Sequence, residues 1–433
     1  MQGNRVGEEL KNHNSSSEDS RRASGKFRIA MSFALLLLGA AAVALFAWRN
    51  FGKAPKLEAG REFNTNPGPA VTNQKSTNSG INGADPASDH TGGVTYVHDE
   101  VPTVPWSIHI VKVERARADL RFETTLGLGR HIGTSVVSEQ VKAIPSEMGR
   151  PLAAINGDFF KISDKYPGDP EGVQIIHGEL VSAPRPSHSC FWIDASGQPH
   201  VQTVRSHFNA TLPDGRTTTF GLNEDRGNET VVLYTAANGA STRTSDGVEL
   251  VLGRGTNTSW LPLRVGETYH ARVKQVRTGG DAPLSRETMV LSIGPKISAQ
   301  AAEFKTGDLI TLSTATTPSM AGSATGIGGG PALVHGHSVV KFNGLQPRHP
   351  RSALGWNNDH FFLVEVDGRQ KISAGMSFPE LANYMLNLGC DEAINLDGGG
   401  SATIWVYGNV MNSPSEGHER PAANALVVVR KMP

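Results

Sequence analysis

Asp397 is followed by Gly398, Gly399, Gly400 and Ser401, and no other run in the chain is better suited to chemistry. A carboxylate delivered into three glycines has lost the surrounding side-chain bulk, so a ligand or another backbone can approach it closely. The plain alternative is a hairpin whose turn Asp397 caps, because Asp-Gly is itself a hairpin signal. Three consecutive glycines exceed what a turn needs, which favours a functional loop. Other polar residues in unusual settings stand at the ends of apolar runs. They are Asn156, Gly157 and Asp158 after 151–155, the glycines of 326–330, Arg351 behind Pro350, and Arg420 before Pro421 with Asn424 close by. Two proline-flanked arginines beside glycine-rich turns suit a phosphate, since guanidinium binds phosphate oxygens in pairs and turn N–H groups add donors. Either arginine taken alone fits a salt bridge equally well.

Several familiar chemistries are excluded. Neither glycine cluster has the spacing of a P-loop or of a dinucleotide-binding turn, and Ser401 is not in a G-x-S-x-G elbow. His335 and His337 would point the same way on a strand, but no third ligand stands at a readable spacing, so neither a metal nor a cofactor is expected from these motifs. Lys+Arg and Asp+Glu both number 41, and no basic run interleaved with aromatics occurs, so nucleic acid is not an expected partner. The two cysteines, Cys190 and Cys390, are too few for a disulfide scaffold and fit one bridge or two buried thiols.

The elements that must position these residues are readable in outline. Ser377 and Glu380 form an S-x-x-E capping box with Pro379 in the first turn. Leu381, Met385 and Leu388 then recur at helical spacing up to Gly389, a C-terminal cap. The period switches to strand at 393–396 and again at 404–406. Further strands are expected at 106–113, 120–124, 151–155, 289–293, 360–366 and 425–429, with a hairpin at 174–182 turning at His177-Gly178. A helix over 138–148 is bent or broken at Pro145. Residues 200–290 read as short strands such as 229–235 and 247–252, with no recognised motif. The whole predicts an α+β fold: a single β-rich mixed domain over 94–433 with few helices.

The stretch before residue 94 reads differently. Residues 1–28 are polar and end in Arg21, Arg22, Lys26 and Arg28. Residues 29–48 are uncharged and apolar over about the 20 residues that a membrane helix needs. Residues 49–93 are dominated by Asn, Thr, Ser, Gly and Pro, a composition that buries too little apolar surface to fold. The expectation is a cytoplasmic leader, a transmembrane anchor and a disordered linker. Basic residues before the anchor predict a single-pass protein of the cell membrane with its C-terminal domain outside the cytoplasm. A cleaved signal peptide, which would leave a secreted or periplasmic domain, is the alternative.

Taken together and in order, AINGDFF (154–160), GIGGGPALV (326–334), RHPRSALGW (348–356), AINLDGGGSATIWV (393–406) and ERPAANAL (419–426) resemble the phosphodiester glycosidase family. The resemblance spans residues 95–433. It implies hydrolysis of a sugar-1-phosphodiester in a cell-envelope glycan or glycan-phosphate polymer, a setting consistent with the exopolysaccharide label some bacterial members carry. Carried over residue by residue, it implies substrate or phosphate binding by Asn156, Gly157, Arg351, Gly398, Gly399, Gly400, Ser401, Arg420 and Asn424. Asp397 would be catalytic, as nucleophile or as the base that activates water, with Asp158 the second catalytic candidate. Asp158 departs from the family pattern, where Gly is frequent, and Ser352 stands where Thr is commoner. Such cleavage passes through an oxocarbenium-like state that a carboxylate stabilises, and arginines would stabilise the departing phosphate. The alternatives are an ordinary glycoside hydrolase, which needs two carboxylates and no arginine pair, and a non-catalytic module that binds cell-wall polymer.

Overall fold

The computed structural model of the protein describes residues 92–432 except 163–164, 256–259 and 299–302. The leader 1–28, the anchor 29–48 and all but the end of the linker 49–93 lie outside the described residues. Among the described residues no helix is long and apolar enough to cross a membrane. The expectation of a β-rich domain with few helices holds: antiparallel sheets dominate, and the described α-helices are Val137–Lys142, Pro295–Ser298 and Phe378–Asn387.

Two sheets carry the motifs. A seven-stranded sheet runs in the order Val94–Val101, Trp106–Glu114, His360–Val366, Arg351–Trp356, Glu392–Asn395, Ala332–His335 and Ser338–Val339. A five-stranded sheet runs Asn409–Val410, Ile404–Val406, Arg150–Asn156, Ala425–Arg430 and Leu120–Thr124. Strand Arg351–Trp356 is buried along its whole length, because alternate side chains enter different cores. Leu354, Leu363 and Ile394 join Ile155, Leu426 and Ile404 of the five-stranded sheet. Ala353, Phe362, Val364 and Ala393 face helix Phe378–Asn387 through Leu381 and Met385. That helix has the capping box the sequence predicts, with Ser377 accepting from the Glu380 N–H and Glu380 reaching back to Ser377.

The 200–290 stretch belongs to a sheet of its own. Eight strands, from Arg205–Thr211 to Leu309–Thr317, are ordered Thr217–Thr219, Arg205–Thr211, Leu309–Thr317, Thr268–Thr278, Val248–Arg254, Met289–Ile293, Val231–Tyr234 and Gly221–Leu222. They pack around an apolar core that includes Phe208, Leu250, Tyr269, Leu291 and Leu312 and is shared with Ile175, Leu180 and Trp192 of a neighbouring sheet. The chain leaves for this excursion from a second five-stranded sheet after strand Pro199–Thr203. It returns to the same sheet at Thr325–Gly328, which pairs with Ser189–Ile193.

Two expectations are refined. The helix over 138–148 ends at Lys142, and a 3-10 turn, Ser146–Met148, follows Pro145. Proline excludes the preceding residue from helical backbone and lacks an N–H to continue the ladder. The strands flanking Asp397 do not form a hairpin: Glu392–Asn395 lies in the seven-stranded sheet and Ile404–Val406 in the five-stranded one. Residues 397–403 therefore cross from one sheet to the other.

Candidate active site

The crossing is fixed from both sides. The Asp397 N–H donates to the Gly157 carbonyl (2.8 Å), the Leu396 N–H to the Ser352 carbonyl (2.8 Å), and the Asn156 N–H to the Thr403 carbonyl (3.1 Å). The Asn156 side chain is fully buried. Its Nδ2 donates to the Asp397 carbonyl (2.7 Å), and its Oδ1 accepts from Ser352 Oγ (2.6 Å) and the Thr403 N–H (3.1 Å). Asn424, also fully buried, accepts from the Asp158 N–H at Oδ1 and donates through Nδ2 to Gln174, both at 2.7 Å. Gly157 lacks a Cβ because Asn424 Oδ1 occupies that space. Asn156, Gly157 and Asn424 thus hold the loop from beneath.

Asp397 sits partly exposed at the seam. Its Oδ1 accepts from the Gly398 N–H at 2.8 Å. Desolvation raises its carboxyl above the ordinary aspartate value, and the Ser401 hydroxyl, the Gly398 N–H and the Arg420 charge oppose that rise. Arg420 Nη2 donates to Ser401 Oγ at 2.7 Å, so guanidinium, hydroxyl and carboxylate form a line, with Glu416 on the outer side of Arg420 at 3.4 Å.

The three glycines act through what they lack. A Cβ on Gly398 would lie 2.6 Å from the Pro350 carbonyl. Gly399, in left-handed backbone at φ 63°, turns toward Arg369, whose Nη2 would lie 3.0 Å from an added Cβ; at Gly400 a Cβ would run into Glu416 and Arg420. Backbone donors here are largely committed, Gly399 N–H to the Pro350 carbonyl at 2.9 Å and Gly398 N–H to Asp397. In the other cluster the Gly329 and Gly330 N–H groups donate to the Ser189 and Asn395 carbonyls, and Gly328 makes room for the Asp158 carboxylate. The expected cradle of glycine N–H groups gives way to close packing, with guanidinium groups brought against the loop.

Arg351 is buried to 8% exposure. It donates through Nε to the Met376 carbonyl (2.9 Å) and through Nη2 to the Pro347 carbonyl (3.0 Å), and lies 4.0 Å above the Phe378 ring. Burial, then the Arg369 charge, pull its pKa down to about 10. Burial and these same two arginines lower that of His349. Among the described residues, neither Arg351 nor Arg369 forms an ion pair with a carboxylate. Two neighbouring like charges without a carboxylate partner are suited to receive an anion.

Asp158 is placed beside Asp397 but is enclosed, at 2% exposure. Its oxygens accept from the Gly172 and Phe159 N–H groups at 2.6 and 2.8 Å. Desolvation, reinforced by the Asp397 and Glu171 charges, pushes its carboxyl well above the ordinary range, against the pull of those N–H groups. Glu171, partly exposed, also raises Asp397. The rings of Phe159 and His188 stack with centroids 6.2 Å apart, and Phe159 lies against Gly330.

Sequence reasoning missed Arg369 and Glu171. Arg369 has a signal in hindsight, since it follows Asp367-Gly368 at a strand end and adopts φ 60°; Glu171 has none. His335 and His337 are exposed and face different carboxylates, Glu392 and Asp391, each at 3.0 Å, so they do not converge on one ion. Cys190 and Cys390 are both free and buried.

Comparison with known proteins bears on the fold and on the family of part of the chain. A protein from Synechocystis, hypothetical by name, shares 21% identity at a TM-score of 0.62, covering 78% of this chain and 62% of its own. A candidate exported protein from Burkholderia pseudomallei K96243 shares 20% identity at a TM-score of 0.58, covering 75% of this chain and 74% of its own. At those identities the likeness is one of fold. The SPbeta prophage-derived uncharacterized protein YomE of Bacillus subtilis (strain 168) is 36% identical over 85 residues, 19% of this chain and only 13% of that protein. Residues 270–429 match the phosphodiester glycosidase family, so the resemblance seen in the motifs stands over the stretch that contains Arg351, Arg369, the Asp397 loop, Arg420 and Asn424.

Proposed function

We propose that the protein hydrolyses the bond between the anomeric carbon of a sugar and a phosphodiester oxygen. The observation that carries this reading is the glycine loop after Asp397, which packs on the backbone of Pro350 and Arg351 at Gly398 and on the Arg369 guanidinium at Gly399, two arginines that lack a carboxylate partner among the described residues. The match of residues 270–429 supports a hydrolase acting on phosphodiester-linked sugars.

In this reading the substrate phosphate meets Arg369, which is exposed, with Arg351 fixed behind it. The sugar ring lies against the Phe159–His188 stack. The C1–O bond breaks, its electron pair leaves on the phosphate oxygen, and the oxygen of water ends on C1. Asp397 faces the positive charge that develops on the ring, as nucleophile or as the base that takes a proton from water. A phosphate monoester is a better leaving group than an alcohol. Stabilising its charge therefore outweighs protonating it, and the arginines supply that stabilisation. Glu171 is the second carboxylate whose charge reaches Asp397 and is assigned the proton exchange with water. Asp158, Asn156 and Asn424 are positioning residues in this scheme. The anchor read at 29–48 and the linker at 49–93 support an envelope setting, with a glycan or glycan-phosphate polymer as substrate.

The test is an assay of the purified protein on sugar-1-phosphodiesters and on simple glycosides of the same sugars. Cleavage of the phosphodiesters alone is the expected result. Cleavage of simple glycosides at equal rates would replace the reading with an ordinary glycoside hydrolase. Binding of polymer without turnover of either would replace it with a carbohydrate-binding module.

A further inference from the structure

Three buried side chains with no part in the scheme above meet where strands Trp106–Glu114 and His360–Val366 pair. His109, Glu365 and Asp367 are 3%, 0% and 2% exposed. His109 and Glu365 are register partners across the two strands. Asp367 lies two residues beyond Glu365, so all three side chains stand on one face of the sheet. Their ligating atoms all lie within 4.8 Å of one another.

The spacing is that of a coordination shell. His109 Nε2 and Asp367 Oδ2 are 3.2 Å apart, a separation that also allows a direct hydrogen bond when Nε2 carries the proton. Metal bonds of about 2.1 Å meeting at roughly 90–110° separate neighbouring ligand atoms by about 3.0–3.4 Å. The surrounding contacts orient the ligands as outer partners do in metal sites. Tyr96 Oη lies 2.8 Å from His109 Nδ1. With the ring proton on Nδ1, the histidine donates to Tyr96 and presents a lone pair at Nε2. Asp367 Oδ2 accepts from Ser107 Oγ (3.0 Å), and Oδ1 accepts from the Ser413 N–H (2.8 Å).

Glu365 is the independent observation. Both its oxygens are buried without a hydrogen-bond partner. Asn412 is near enough to favour its charged form; with Nδ2 donating to the Ala402 carbonyl (3.1 Å) and Oδ1 accepting from the Ile404 N–H (3.0 Å), it has one amide hydrogen left to offer. A fully buried carboxylate with at most one amide hydrogen to accept, beside a second buried carboxylate, requires a positive charge or a proton between them. Desolvation and the Asp367 charge do raise the Glu365 carboxyl well above its ordinary value, which makes a shared proton the rival arrangement.

We propose that His109, Glu365 and Asp367 bind one divalent transition-metal ion of the Zn²⁺ or Mn²⁺ kind in a closed, structural site. One imidazole with two carboxylates is a mixed nitrogen and oxygen set, whereas Ca²⁺ and Mg²⁺ take shells of oxygen alone. With Glu365 binding through both oxygens, the three residues supply four ligand atoms. The site lies under the catalytic loop, because Glu365 is also the register partner of Ser352, whose hydroxyl donates to Asn156 Oδ1. It stands independently of the reaction proposed above.

Purified protein, stripped with a chelator and dialysed, is titrated at pH 7 with Zn²⁺ and with Mn²⁺, and with Mg²⁺ and Ca²⁺ for comparison. Bound metal is counted by mass spectrometry, and the thermal midpoint is followed. The expected result is one transition-metal ion per chain, a midpoint that rises on binding, and at least tenfold weaker binding of Mg²⁺ and Ca²⁺. Glu365→Gln, which removes the unpaired charge and keeps the shape, is expected to weaken metal binding at least a hundredfold and to leave a midpoint that no longer responds to metal. The wild-type titration needs no variant to fold: failure of both Zn²⁺ and Mn²⁺ to bind overturns the proposal. So does binding that Glu365→Gln leaves unchanged. An infrared signal of a protonated acid at neutral pH that persists in saturating metal and disappears in Glu365→Gln would establish the shared proton instead.

Discussion

The eight-stranded sheet and the seam between the seven-stranded and five-stranded sheets are built on different principles. Strand Met289–Ile293 is buried throughout, and Leu250, Leu291 and Leu312 pack in an interior made mainly of hydrocarbon. At the seam, buried polar residues crowd together instead: Asn156, Asp158, Gln174, Ser352, Ser401, Thr403 and Asn424. An apolar interior derives its stability from area removed from water and has no preferred orientation. A polar interior is held by directed bonds, each costly to leave unmade, and in return it fixes atoms in place. Stability and positioning therefore have different addresses in this molecule.

The sharpest way to break that contrast is a cavity in the first region. Leu291→Ala removes a fully buried side chain and is expected to cost about 2–5 kcal/mol of stability. Turnover per folded molecule should stay unchanged in a denaturation series paired with activity at low temperature. A loss of turnover at full folding would show that the two regions are coupled. Asp397→Asn is the opposite case. It keeps the shape of the loop and removes the charge, so turnover should fall at least about a hundredfold, with little movement of the thermal midpoint. Activity within a few-fold of wild type would reduce Asp397 to a turn residue.

Next in size are the arginines. Arg351→Ala and Arg369→Ala each remove charge-assisted hydrogen bonds of about 1.5–3 kcal/mol, so inorganic phosphate or a sugar phosphate should bind roughly ten- to hundredfold more weakly. Arg420→Ala is expected to weaken binding less, because Arg420 is already engaged by Ser401 and Glu416. Calorimetry on the three variants ranks them, and equal losses would place the phosphate nearer Arg420. The smallest effect is on pH dependence. Asp397 works ionised and its carboxyl is raised by desolvation, so the acid limb of kcat/KM should lie above the pH at which an ordinary aspartate titrates. Ser401 and Arg420 hold that value down; Ser401→Ala or Arg420→Gln should therefore move the limb to higher pH. A limb that moves down, or stays, would detach it from Asp397.

Local order was legible in the sequence wherever the cause is local. The capping box at Ser377 and Glu380, the turn at His177-Gly178 and the strand 360–366 rest on neighbouring residues and appear as expected. The glycine run was legible as unusual, but not its reason, because Pro350, Arg369 and Arg420 arrive from distant parts of the chain. Arg369 and Glu171 were missed for the same cause. The eight-stranded sheet could be read only as strands, since alternating apolar residues give burial and not partners.

The place of the last strand has a consequence in time. Ala425–Arg430 lies between Leu120–Thr124 and Arg150–Asn156, so two strands made early wait for a partner that is made much later. At about 5–20 residues per second, the two waiting strands remain unpaired on those edges for roughly 15–60 s. During that interval they are open to pairing with another chain. Because Asn424 immediately precedes this strand and holds Asp158 beside the catalytic loop, the site is assembled by the same event that closes the sheet. A chain stalled before residue 425 is therefore inert and sticky together.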